Sequence, residues 1–146
     1  MTREADVLKY VENYFKLDKN VKIWRQNAGV AFRGDHPVRL AEEGAADLVG
    51  IVGKVQCPDC GRVIAEGVFL AIECKGTEGR LRPTQERWLR EIQSLGAIIV
   101  LAKPIPTEND PTGFEALKYT LARVGFEQCA DCREKKFIKY KKEGRK

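Results

Sequence analysis

Gly67-Val-Phe-Leu-Ala-Ile-Glu-Cys-Lys75 is the stretch whose reading decides the fold. Its uncharged first six residues read as a buried strand, and a Glu-Cys-Lys triplet closes it. Side chains alternate along a strand, so Glu73 and Lys75 project to one face while Cys74 turns to the other. Upstream, Asp47 opens a second apolar run, Leu48-Val-Gly-Ile-Val52. Downstream, Pro83 and Gly96 frame a helix with Trp88, Leu89, Ile92 and Leu95 turned inward, and Ala97 to Ala102 reads as another buried strand. Strand, helix and strand in that order predict a crossover back into the same sheet.

Outward from this centre the chain alternates helix and strand. Val7, Leu8, Val11, Tyr14 and Phe15 share one face of a helix predicted over residues 3–16. A short strand follows at 21–26, then a loop rich in glycine and charge up to Gly44, then strands at 46–52 and 67–75. Asp110-Pro111 starts a last helix bearing Phe114, Leu117, Leu121 and Val124. The fold expected is α/β, a mixed central sheet flanked by helices. Trp24 and Trp88 are expected in core or interface packing, and scattered glycines give no phosphate-cradling spacing.

If Asp47 starts the strand beside that of Glu73, the two carboxylates meet across the sheet. With the backbone carbonyl of Cys74 and water they would make the oxygen-rich shell that Mg²⁺ or Mn²⁺ prefers. Such an ion activates water and neutralises charge growing on a scissile phosphate, and Lys75 beside it would orient the attacking water or stabilise the transition state. The plainer alternative is that Asp47 caps a turn and that Glu73 and Lys75 merely end an edge strand.

The wider text bears on that choice. Trp24-Arg-Gln-Asn-Ala-Gly29, Gly44-Ala-Ala-Asp-Leu-Val-Gly50, Phe69-Leu-Ala-Ile-Glu-Cys-Lys75, Gly79-Arg-Leu-Arg-Pro-Thr-Gln85 and Gly96-Ala-Ile98, in this order, resemble the VRR-NUC family, a branch of the PD-(D/E)xK nuclease superfamily. The likeness runs from residue 3 to about 102 and is closest to the small stand-alone type often carried by phages. It implies a restriction-endonuclease-like core and a metal-dependent endonuclease leaving 5′-phosphate and 3′-hydroxyl ends. Asp47, Glu73 and Lys75 match the family's core triad, and Gln85 matches a glutamine beside the site. Glu4 is the best match to an N-terminal helical glutamate that completes the metal site, with Asp6 and Glu12 as competitors. Cys74 departs from the valine or leucine common at that place. Stand-alone members resemble homodimeric Holliday-junction resolvases, which implies branched DNA as substrate. A nuclease acting on flaps, nicks or linear duplex is the nearest alternative.

At 146 residues, with 43% hydrophobic and 32% charged content, the chain suits one enzyme domain. No apolar run reaches the roughly 18 residues that span a bilayer, and the N-terminus shows no signal region, so a cytoplasmic protein is expected, in a bacterial host if phage-encoded. From Arg133 onward eight Lys or Arg face two Glu, whereas the whole chain has a net charge of +5, so the basic character is a tail. The division expected is a nuclease domain over 1–132 and a basic tail over 133–146. Lys135 and Lys136 in this tail, interleaved with Phe137 and Tyr140, are candidate DNA contacts, as are Arg25, Arg33 and Arg39 in or near the loop before Asp47. The tail reads equally as a solvated terminus. His36, the one histidine, reads as surface or a DNA contact.

Five cysteines remain. Cys57-Pro-Asp-Cys60 lies in an insertion expected at about 54–66, and Cys129-Ala-Asp-Cys132 repeats its spacing. Two such pairs suit a closed, structural four-thiolate Zn²⁺ site, provided the fold brings them together over the 68 residues between. Redox pairs, metal shared between subunits and unpaired surface thiols are the alternatives. Cys74 is expected as a small buried residue. From a different class, a zinc-stabilised nucleic-acid-binding module without catalysis would use the same cysteines and tail.

Overall fold

The computed structural model describes residues 1–26, 30–39 and 41–144, with only the backbone of Val30 and Arg39. Helix α1 (Glu4–Lys16) leads into strand β1 (Val21–Arg25), strands β2 (Val30–Arg33) and β3 (His36–Arg39), and the long strands β4 (Leu48–Gln56) and β5 (Val63–Cys74). Helix α2 (Pro83–Ser94), strand β6 (Ile98–Ala102), helix α3 (Phe114–Ala122) and helix α4 (Ala130–Glu143) complete it. The main sheet runs β1-β4-β5-β6, antiparallel except for the parallel pair β5-β6. That parallel pair is the expected crossover, made through α2. The result is the expected mixed sheet with helices on its faces.

Alternation along β5 sorts the core. Leu70, Ile72 and Cys74 enter one cluster with Val7, Val11 and Phe15 of α1 and Leu117 and Leu121 of α3. Ala71 enters the other, with Val49 of β4 and Trp88 and Leu89 of α2. Leu48 stands opposite Ile72. One step further, Asp47 comes beside Glu73 at the end of the sheet, where apolar strand gives way to polar loop.

Several expectations need correction. The stretch predicted as loop before Gly44 holds the β2-β3 hairpin, closed at Arg33 and His36 by Gly34-Asp35. A two-residue turn containing glycine between short β-prone runs was the available signal. Asn27, Ala28, Gly29 and Leu40 lie outside the described residues, as does the Arg39 side chain. Strands β4 and β5 run past the predicted ends, pairing Lys54 with Glu66, because a solvated ribbon need not be apolar. Helix α3 starts at Phe114 rather than at Asp110, whose carboxylate instead accepts the Glu115 N–H at 2.9 Å, and it ends before Val124. It is not the last helix, for α4 follows. Leu95 caps α2 at its C-terminus and is 83% exposed rather than inward, and Trp24 on β1 is 45% exposed.

Candidate active site

Glu73 is 1% exposed and Lys75 9%, charged groups at the end of β5 next to its buried residues Leu70, Ala71, Ile72 and Cys74. Gln85, on the first turn of α2, joins them. Its amide nitrogen donates to Glu73 Oε1 at 3.1 Å, and its carbonyl oxygen accepts from Lys75 Nζ at 3.0 Å and from the Arg82 N–H at 3.0 Å. Lys75 Nζ stands 3.6 Å from Glu73 Oε1. Every polar atom of Gln85 is thereby committed, which fixes where both charges sit.

The other oxygen of Glu73, Oε2, is buried and has no hydrogen-bond partner among the described residues. A carboxylate oxygen in that state is costly unless a cation meets it. Carboxylate oxygens of Glu4, Asp47 and Glu73 lie within 4.8 Å of one another. Burial first, and the Asp47 charge second, hold the Glu73 carboxyl at about 8, above its ordinary 4.5, although Lys75 opposes the shift. Three acidic groups close together, one of them carrying a buried unsatisfied oxygen, fit a hard divalent cation with oxygen ligands.

Glu4 reaches this cluster because the start of α1 lies against the end of β5. The Thr77 N–H donates to Thr2 O at 2.9 Å, and the Thr2 N–H donates to Thr77 Oγ1 at 3.0 Å. Gly76 makes the approach possible, since a Cβ there would stand 2.7 Å from Thr2 O and 2.9 Å from Glu4 N. On the other flank a Cβ at Gly44 would stand 2.3 Å from Thr84 O, so this glycine lets the segment before Asp47 lie on the N-terminus of α2. The competitors of Glu4 are engaged elsewhere. Asp6 pairs with Arg3 at 3.2 Å and Glu12 with Arg25 at 2.7 Å. Arg25 is thus tied to a carboxylate, whereas Arg33 and His36 are exposed on the β2-β3 hairpin. The Cys74 side chain faces the opposite core, where burial pushes its thiol up.

At the far end of the β4-β5 ribbon the four cysteines Cys57, Cys60, Cys129 and Cys132 converge, their Sγ atoms within 4.8 Å of one another. Cys60 and Cys129 are 3.8 Å apart, the edge of a tetrahedron with metal–sulfur bonds of about 2.3 Å. Backbone bonds bring the second pair alongside the first. The Gln56 N–H donates to Gly125 O at 2.9 Å, and the Glu127 N–H to Gln56 O at 3.1 Å. The N–H of Cys129, then those of Cys60 and Asp59, hold the Cys57 thiol down at about 6, while the neighbouring thiols, Cys129 foremost, push Cys132 up to about 12. Arg62–Asp131 at 2.8 Å and Lys136–Asp59 at 3.2 Å brace the cluster. Lys136, expected to meet DNA, is in that second ion pair. The cluster is one a zinc ion would fit.

A family model described as VRR-NUC domain matches residues 23–103, more than half of the chain. The chain belongs to the VRR-NUC family. It carries a nuclease-type domain, for which DNA is the substrate class. The match spans Asp47, Glu73, Lys75 and Gln85 but neither Glu4 nor the second cysteine pair. Those parts of the two clusters come from flanking segments. No curated protein and no solved structure matches the chain. Among the described residues no helix is long and apolar enough to cross a membrane.

Proposed function

We propose that this protein is a Mg²⁺- or Mn²⁺-dependent DNA endonuclease that hydrolyses phosphodiesters at the Asp47–Glu73 cluster. The observation that carries the reading is the buried Glu73 Oε2, without a hydrogen-bond partner among the described residues, in a carboxyl group clustered with those of Glu4 and Asp47. Asp47, Glu73 and Glu4, with the Cys74 carbonyl, would hold the ion. When bound, it supplies Lewis acidity toward the phosphate oxygens and an activated water.

The chain's own groups do the rest. Lys75 presents a compact cation at the site, where it stabilises the extra negative charge of the pentacovalent phosphate. Gln85 keeps the Lys75 ammonium from collapsing onto Glu73 by taking a hydrogen bond from it and giving one to the carboxylate. Proton transfer needs no histidine. A structural zinc in the four-cysteine cluster has no open position for substrate.

Family likeness supports a branched substrate and a homodimer, since two sites related by a two-fold axis match a two-fold junction. Phage recombination or replication is the setting such a dimer fits. The experiment compares wild type with Glu73→Ala on a labelled four-way junction and a matching linear duplex, with Mg²⁺, Mn²⁺ or EDTA. Metal-dependent cutting of the junction that the variant lacks is expected. Equal cutting of both substrates would remove the branch preference, and binding without cutting would leave a nucleic-acid-binding module.

A further inference from the structure

Helix α4 is an unusual element in this protein. None of its residues is buried, yet it is a regular helix of 14 residues. What ties it to the body is confined to its first half. Cys129 caps it, Cys132 lies in its first turn, Asp131 meets Arg62, and Lys136 meets Asp59. Among the described residues from Phe137 onward, the one ion-pair or ring interaction is internal, Lys141 Nζ lying 4.8 Å from the centre of the Phe137 ring. A short, strongly basic helix without a packed face has little reason to stay in place alone.

We infer that α4 is a DNA-gripping arm, held in place on the tip of the β4-β5 ribbon by zinc in the four-cysteine cluster. This rests on the nuclease reading for its ligand but uses a different part of the molecule. Charge complementarity selects the partner. Arg133, Lys135, Lys136, Lys139, Lys141 and Lys142 stand on the helix against Asp131, Glu134 and Glu143, and two of those three acids lie at its ends. Phe137 and Tyr140 are 57% and 75% exposed, aromatic faces among cations, as in surfaces that follow a nucleic-acid backbone. Nine residues of strand, Leu48–Gln56, separate Asp47 from Cys57. At about 3.3 Å per residue they span roughly 30 Å, close to one turn of duplex DNA. The arm would therefore hold phosphates about one helical turn from the cut, where the active-site groups do not reach.

The test uses the full-length, zinc-loaded protein and a fluorescein-labelled duplex of about 25 base pairs, with binding read by anisotropy in EDTA-free buffer without Mg²⁺ over a salt series. Lys135→Ala, Lys139→Ala and Lys142→Ala together should flatten the slope of log K against log salt by about 2 to 3, since each phosphate contact contributes roughly 0.9. On a duplex of about 8 base pairs, too short to reach from the cut to the arm, the variant and wild type should bind alike. Cys60→Ser with Cys132→Ser should lose zinc by metal analysis, lose helical signal at 222 nm and weaken binding to the long duplex.

An unchanged slope in the lysine variant would overturn the arm. A cysteine variant that loses zinc but keeps wild-type helicity and long-duplex affinity would overturn the role of zinc in holding it. A lysine variant whose molecular mass in solution changes while its slope does not would make α4 a contact between copies instead. Glu73→Gln separates this inference from the nuclease reading. It should bind with the wild-type slope while cutting nothing, and a wild-type protein that binds with this slope but cuts nothing in Mg²⁺ or Mn²⁺ would sink the nuclease reading and leave the arm standing.

Discussion

Glu73→Gln is expected to stabilise the metal-free protein while disabling it. The carboxyl is held at about 8 in the fold against 4.5 in an unfolded chain, chiefly by burial and then by the Asp47 charge. Between those values the unfolded state releases the proton while the folded state keeps it, so stability falls as pH rises through the window and is unaffected by this group below it. The full span corresponds to about 5 kcal/mol at 1.36 kcal/mol per unit. Solvent screening at the outer edge of the cluster and local relaxation bring the expected effect to about 2 kcal/mol. For a chain of this length that is roughly 6 °C in Tm. The assay is thermal unfolding in chelator with zinc retained, at pH 5 and pH 8, for wild type and variant. The variant should match wild type at pH 5 and exceed it at pH 8. Adding Mg²⁺ at pH 8 should then raise the Tm of wild type and leave the variant where it was. Parallel behaviour of the two proteins at both pH values would refute the account of Glu73 as a buried carboxyl waiting for a cation.

Gln85→Ala removes the amide that separates Lys75 from Glu73, and kcat on duplex or junction should fall about 100-fold, the scale of a misplaced catalytic group, with a much smaller change in KM. Gly76→Ala puts a methyl 2.7 Å from Thr2 O. Displacement of the Thr2–Glu4 segment should cost about 1–3 kcal/mol by thermal unfolding and weaken Mg²⁺ binding measured by calorimetry. Cys57→Ser breaks the zinc tetrahedron at its most buried corner, and metal analysis should show one zinc per wild-type chain and much less than one in the variant, with a lowered Tm.

The main sheet and the core were legible because hydrophobic period and punctuation agreed. Alternation in β5 separated Glu73 from Cys74, and Pro83 with Gly96 bracketed α2. The β2-β3 hairpin was hidden because its charges, Arg33, Asp35, His36 and Arg39, outweigh its β-prone residues in any reading by composition. The outer halves of β4 and β5 were missed for a related reason, since a two-stranded ribbon exposed on both faces has no apolar stripe to announce it. In the candidate site, the Glu73–Lys75 pair followed from the two-residue period alone, and Gln85 and Glu4 came from family likeness. What no pattern conveyed was how Glu4 arrives. That depends on Gly76, whose role is to be absent at Cβ, and on two hydrogen bonds between Thr2 and Thr77, one between backbones and one from the Thr2 N–H to the Thr77 hydroxyl, joining positions 75 apart in the chain.

The four cysteines show the same limit from the other side. Their spacing named a ligand set but not the means of assembly, because two pairs 68 residues apart constitute a site only if the fold closes that distance. The closure is made by backbone pairing at Gln56, which lies one residue before Cys57 on the same strand that follows Asp47. One ribbon thus carries the acidic cluster at its base and the thiol cluster at its tip. Its strands pair from Leu48–Ile72 to Gln56–Val63, so the distance between the two clusters is set by ladder hydrogen bonds rather than by a linker. The shift in register at Val55–Gln56 falls where the ribbon meets the chain before α4. A bulge twists and bends a strand locally, so this irregularity turns the end of β4 just before Cys57.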